Sequence, residues 1–501
     1  MRTKITCLIV IALASVFVAG CNIEKEGRSA TQSDIQKAAM QTYMPPGKLD
    51  EFYMFTGNGH SGNVGVYGLP SMRLIVTIPV FTPYPATGYG FDKESKEMLG
   101  GYSWGDVHHP SFSETDEDYD GRWLFVSDEA NNRMARIDLR DFKTKQILGP
   151  LPNVSGNHCS SFTTENTEYL LAASRFSIPL PKGTYEKTED YATKYKGIVA
   201  GIAVDPKTGN MSLGWQVMTP PLQFDYGDAG RGPSKEWAFW SSYNSERATG
   251  KLEVTTTQGT FDYLAVVNWK AAEKAIQAGK FQMIGGAKVI DPKVVPGVVY
   301  LIPAAKSPHG IDVSPDGKYI IIPGKLAPIA TVFSFEKMLT AIQKKDFIGN
   351  EDGIPVLNPD SVKETEIKIG PGPLHTQFDD KGYAYTTLYG EGEDQEESGG
   401  MGLGGGAIVK WKLGTWEIAD RIQVNYNIGH LAIAGGDAKH PVGKYMVSLN
   451  KTARAGQHLD VGPMQPKSLQ LIDISGEKMK LLYDAFADPN PTSLKSSRRR
   501  S

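Results

Sequence analysis

From about residue 47 onward the chain alternates short apolar stretches with polar turns. Trp123-Leu124-Phe125-Val126 follows Asp120-Gly121-Arg122 and leads on to Met134-Ala135-Arg136-Ile137-Asp138-Leu139. The same order recurs over residues 315–334, 380–411 and 443–474: a turn rich in Asp, Gly and Lys, an apolar strand, a connection, then a second strand. Two apolar strands across a tight polar turn make a hairpin. Hairpin units recurring every roughly 40–60 residues predict a β-propeller, because each unit is too small to bury its own faces and stacks on its neighbours. The expected fold is all-β, a seven-bladed β-propeller over residues 47–489, at roughly 60 residues per blade. Three segments read as helices: 32–44, stopped by Pro45-Pro46; 269–278, capped by Asn268 and stopped by Gly279; and 335–345, capped by Ser334. Residues 391–406 are acidic, then Gly-rich, and read as a loop insertion.

The N-terminus has a different character. Arg2 and Lys4 precede an apolar run over residues 5–19, too short to span a bilayer comfortably. It ends in Val18-Ala19-Gly20-Cys21, which resembles a bacterial lipobox. The expectation is a lipoprotein signal peptide over 1–21, lipidation of Cys21, and a polar tether over 22–46. The mature protein would then be periplasmic and membrane-anchored through its lipid. Of 3 Cys, only Cys159 lies outside this segment, so no internal disulfide is expected. Lys+Arg 53 against Asp+Glu 56 leaves a net charge of −3, with no basic field for nucleic acid. A mean hydropathy of −0.31 excludes a polytopic membrane protein.

The histidines carry the chemistry. His108, His109, His158, His309, His375 and His430 each stand at or just before the first strand of a repeat, the one nearest a propeller axis. Steps of whole repeats bring them to one end of that axis. Packing alone gives no reason for imidazoles at the same point of successive blades. Neutral imidazole is the commonest metal ligand, and a nitrogen-only set suits copper or zinc. Six are too many for one tetrahedral ion, so the site is expected to be polynuclear. The lack of a carboxylate favours copper over iron or manganese. His440 and His458 fall out of register and read as structural. His60 divides evenly between a loop hydrogen bond and an outer contact. Cys159, next to His158, faces the other way on a regular strand and reads as a buried thiol.

These residues carry a resemblance. Asp106-Val107-His108-His109-Pro110, Ser307-Pro308-His309-Gly310, Gly372-Pro373-Leu374-His375-Thr376 and the run from Asp379 to Leu388 resemble the nitrous-oxide reductase family. So do Gly59-His60-Ser61-Gly62 and Leu471-Ile472-Asp473-Ile474-Ser475-Gly476, and the signal resembles the family's Sec-exported branch. The resemblance implies a seven-bladed propeller holding CuZ, a tetranuclear copper–sulfide cluster on seven histidines. It also implies a C-terminal cupredoxin domain with a binuclear copper centre, CuA, and two-electron reduction of N2O to N2 and water. A c-type cytochrome or other periplasmic donor, a head-to-tail homodimer and copper-loading accessory proteins come with it. Six ligands carry over: His108, His109, His158, His309, His375 and His430. Lys410, in Val409-Lys410-Trp411, matches a family lysine near the cluster and is the catalytic candidate for proton delivery or charge stabilisation. Tyr243, Glu246 and Asp262 match a calcium site, with Ser307 standing where the family has Asn.

Two departures stand out. Where the family places its seventh histidine, the chain reads Asp488-Pro489-Asn490-Pro491-Thr492, and it ends at Ser501 without a cupredoxin domain. Residues 490–501 are expected to be an aberrant tail, from a frameshift or from a natural short paralogue, and the chain alone to be inactive. The alternative is a metal-free or degenerate propeller lipoprotein acting as a binding module. Metal analysis and N2O uptake with an artificial donor discriminate these readings.

Overall fold

The computed structural model describes residues 31–158, 162–181, 186–243, 262–391, 405–424, 428–450, 468–487 and 493–498. The chain divides into two compact units, residues 1–41 and 42–501. In the first, a helix begins at Gln32, its start fixed by Thr31 and Asp34, whose side chains bond at 2.6 Å.

The second unit is an all-β, propeller-like assembly of antiparallel sheets. Three sheets have four strands in sequence order. One of them runs Val107–Thr115, Asp118–Asp128, Arg133–Asp138 and Lys143–Leu148. Six- and seven-stranded sheets elaborate the same up-and-down order, with outer strands added by parallel pairing. The remaining eight-stranded sheet joins Phe52–Gly57 and the two strands after it, through Ser493–Arg498, to Ile428–Ala434 and the three strands after that.

Alternation along single strands explains why the sheets stack radially. In Asp118–Asp128, Leu124 and Val126 pack with Phe55, Val64 and Val66 of the preceding sheet. Trp123 and Phe125 pack with Leu170, Ile198 and Ile202 of the following one. Successive side chains leave a strand on opposite faces, so one hairpin supplies two interfaces. The pattern repeats in Tyr319–Pro323, where Ile320 and Ile322 face Phe239 and Val266 while Ile321 faces Ala384 and Val409. Leu124, Phe125 and Val126 are fully buried, each contributing roughly 1.5–3 kcal/mol.

The helices sit where their caps place them. Asn268 accepts from the Ala271 N–H at 2.8 Å to start Trp269–Gln277, and Ser334 caps Phe335–Lys344. A further helix, Lys93–Leu99, is capped by Asp92, which accepts from the Ser95 N–H at 2.9 Å. The sequence reading missed it because it is short and largely charged.

Strand pairing continues beyond residue 489. Ser493–Arg498 is a strand, antiparallel to Phe52–Gly57 along six residue pairs from Gly57↔Ser493 to Phe52↔Arg498. Its other edge meets Ile428–Ala434 at Ala434↔Ser496. The last described strand thus becomes the innermost partner of the first. Main-chain pairing is indifferent to side-chain identity, so an unusual sequence still completes the ladder. Leu494, Lys495 and Ser496 are buried, while Arg498 emerges into solvent.

Candidate metal centre

Each candidate histidine lies at the same end of an innermost strand. His108 and His109 open Val107–Thr115, His375 lies in Pro373–Phe378 and His430 in Ile428–Ala434. His158 precedes Phe162–Thr163 and His309 precedes Asp312–Val313. The register breaks at three of these points: between His108 and Ser111, between Pro373 and Thr376, and between Ile428 and His430. A bulge re-aims a side chain. At His109 the backbone enters the left-handed region, φ 37°. That conformation turns two consecutive imidazoles toward the same cavity, which a regular strand does not allow.

Side chains on second strands, of the same sheet or of a neighbouring one, hold the histidine backbone in place. Ser127 donates to the His108 carbonyl at 3.0 Å and Ser241 to the His309 carbonyl at 2.7 Å. Thr387 accepts from the His375 N–H at 3.2 Å and donates to the Gly429 carbonyl at 2.9 Å, linking two neighbouring histidine strands.

The six rings form one continuous group. Ring centroids are 4.6 Å apart for His108–His158, 5.0 Å for His158–His109 and 5.2 Å for His109–His430. His430 stacks on His375 at 3.9 Å, and His375 meets His309 at 4.9 Å. Five of the six are buried, and the His309 side chain is 12% exposed. Burial pushes the His158 imidazole down to about 3, which keeps it in the neutral form that binds metal.

Several groups in the cavity escaped the sequence reading. Tyr226, on Gln223–Ala229, packs its ring against His109 at 4.9 Å and His375 at 4.7 Å. This innermost strand carries no histidine and supplies an aromatic in its place. Ser493–Arg498 supplies Lys495, which with Asp312, Tyr226, His109, His375 and His430 lines one cavity. Lys495 pairs with Asp437, and burial pushes its ammonium down to about 8. Burial pushes the Asp312 carboxyl well above its ordinary range, with Asp228 adding to the effect.

Carboxylates also stand beside the imidazoles. Glu129 Oε2 lies 3.4 Å from His108 Nε2 and 3.0 Å from His158 Nδ1. Asp225 pairs with His309 and Arg175, and its Oδ1 is 3.5 Å from His158 Nε2. Asp106 stands between His108 and His60, which makes His60 an outer contact. Burial opposes the Glu129 carboxylate, but the facing His158, His108 and Arg175 outweigh it and hold its carboxyl well below the usual range. Asp106 and Glu129 flank strands, and Asp225 lies at a register shift within Gln223–Ala229, where periodicity carries no signal. The spacing of Asp106 two before His108 was the one available clue.

Other candidates lie apart. The ammonium of Lys410 donates to the carbonyls of Gly476 and Glu477, at 3.1 and 3.0 Å, over the Tyr383 ring. It stands on the third strand of its sheet, directed at the turn of the next sheet and not into the histidine cavity. Asp262 accepts from the Ser307 N–H at 3.1 Å. Tyr243 ends the strand Trp237–Tyr243, while Glu246, Cys21, Cys159 and His458 lie outside the described residues. His440 faces Asp118 on the surface.

The donor set fits copper: buried, mostly imidazole, convergent and at least partly neutral. A propeller repeat model of nitrous oxide reductase matches residues 421–492. Nitrous-oxide reductase of Pseudomonas fluorescens is 35% identical over 92% of this chain and 70% of its own length. That of Stutzerimonas stutzeri is 32% identical over 96% of this chain and 72% of its own. Among solved structures, a hypothetical selenium-binding protein from Sulfolobus tokodaii shares the fold, with TM-score 0.51 and 9% identity over 92% of this chain and 95% of that one. With identity of this extent over more than nine-tenths of its length, the chain belongs to the nitrous-oxide reductase family.

Proposed function

We propose that the protein reduces N2O to N2 and water, taking up two electrons and two protons, at copper held by His108, His109, His158, His309, His375 and His430. The observation that carries this reading is the convergence of six imidazoles from five innermost strand positions into one group. A copper–sulfide cluster would supply electron-rich metal to bind and reduce a weak, inert ligand. The chain's own residues fix that centre. Asp106 orients the His108 ring, Tyr226 fills the space among His109, His375 and His430, and Ser127, Ser241 and Thr387 hold the histidine backbone. Lys495 brings a cation, and Asp312 a carboxyl that favours its proton, to the same cavity.

We read the sheets as seven blades. The eight-stranded sheet then splits into two four-stranded blades, with Ser493–Arg498 as the inner strand of the first. Electrons would come from a c-type cytochrome or a similar periplasmic donor, and copper from accessory proteins, as in the family. Cys21 would anchor the protein to a membrane, and Cys21→Ser would release it into the soluble periplasmic fraction. The test of function is N2O consumption by the copper-loaded protein with an artificial reductant. Turnover that disappears in His375→Ala supports the reading; copper loading without any turnover contradicts it.

A further inference from the structure

Glu129 occupies a place that the histidine pattern leaves out. It follows strand Asp118–Asp128, and its N–H donates to the Asp106 carbonyl at 3.0 Å. Asp128 accepts from the Asp106 N–H at 2.9 Å and from Arg133 Nε at 2.7 Å, with Arg133 and Asp128 both buried. The main chain carrying Glu129 is therefore tied to the segment that carries His108.

The side-chain geometry is that of a chelate. Glu129 Oε2, His108 Nε2 and His158 Nδ1 offer three ligand atoms all within 4.8 Å of one another. The oxygen lies 3.4 and 3.0 Å from the two nitrogens. Two donors bound tetrahedrally to one ion at about 2.0 Å stand about 3.3 Å apart, so these separations suit a shared ion. A carboxylate stands near each remaining ring nitrogen: His108 Nδ1 is 3.3 Å from Asp106 Oδ1, and His158 Nε2 is 3.5 Å from Asp225 Oδ1. A metal-bound imidazole commonly presents its second nitrogen to a carboxylate, which fixes the tautomer and the ring orientation. Here each ring has a carboxylate near one nitrogen and Glu129 near the other.

We infer that Glu129 is an oxygen ligand to the copper held by His108 and His158, giving this chain's metal centre one mixed nitrogen–oxygen corner. The inference rests on the copper reading above. The opposite side of the cavity, where His375 and His430 stack, carries Tyr226, Lys495 and Asp312.

The test titrates Cu2+ into the full-length, metal-free protein, followed by electron paramagnetic resonance. Glu129→Gln is expected to weaken the tightest site 10–100-fold or more and to shift its spectrum. Glu129→Asp should restore part of the affinity. Wild-type affinity and spectrum in folded Glu129→Gln would overturn the inference while leaving the copper reading intact. No copper binding by the wild-type chain would overturn both. Should Glu129→Gln fail to fold, infrared spectra of wild-type protein carrying carboxyl-labelled glutamate decide the matter. A copper-induced shift of a glutamate carboxylate band that is absent in His158→Ala supports the ligand, and no shift overturns it.

Discussion

Asp106 Oδ1 lies 3.3 Å from His108 Nδ1, and the same carboxylate reaches His60 Nε2 at 3.2 Å. One buried acid thereby links an innermost imidazole to an outer one. It leaves His108 Nε2 turned toward Glu129 and His158.

Removing that orienting charge should loosen the metal without unfolding the blade. Asp106→Asn is nearly isosteric and keeps its main-chain bonds to Asp128 and Glu129. Copper affinity is expected to fall 10–100-fold, the usual effect of losing a partner behind a ligand. Competition with a copper chelator measures it, and an unchanged affinity would show that the 3.3 Å approach does not orient His108.

Deleting residues 493–501 should open the ring. The deletion strips six paired residues from Phe52–Gly57 and removes buried Leu494 and the Lys495–Asp437 pair. At about 1 kcal/mol for each of about six main-chain hydrogen bonds and roughly 2 kcal/mol for Leu494, the loss is on the order of 8 kcal/mol. Urea unfolding of the two chains checks this, with a clearly lower midpoint expected for the shorter one.

Glu114 gives the axis a pH signature. Burial moves its carboxyl from the ordinary 4.5 up to about 8, with Arg231 pulling the other way. Between those values the folded chain holds more protons than the unfolded one, so this group's contribution to stability falls as pH rises from about 4.5 to about 8. Glu114→Gln should remove that slope. The difference in unfolding free energy between the two proteins, measured at pH 5 and pH 8, should therefore change in favour of the variant at the higher pH.

Much of the architecture was legible in the chain. Asn268 and Ser334 announced their helices by cap chemistry, and the turn at Asp316-Gly317 announced its hairpin; Asp120-Gly121 instead lies within the strand Asp118–Asp128, and the turn before it falls at Asp116-Glu117. The register of the histidines pointed to one end of an axis. What stayed hidden depends on local backbone geometry or on main-chain pairing. A bulge and a positive φ at His109 put two neighbours on one face, against the alternation that sequence reasoning assumes. Tyr226 holds a histidine's place on its strand, and Glu129 sits on a turn. The strand Ser493–Arg498 pairs through its backbone, so its side chains gave no sign of it. Lys410 shows the converse: a motif match placed it near the metal, while strand order directs its ammonium to the Gly476 and Glu477 carbonyls.

The convergence of His108, His109, His158, His309, His375 and His430 on copper is tested most directly by copper X-ray absorption on the loaded protein, with metal content measured per chain. Several coppers per chain, imidazole scattering at about 2.0 Å, and loss of most of that copper in the His375→Ala, His430→Ala double variant are the predicted result. A wild-type chain that retains less than one copper, or a double variant that retains all of it, would contradict the site.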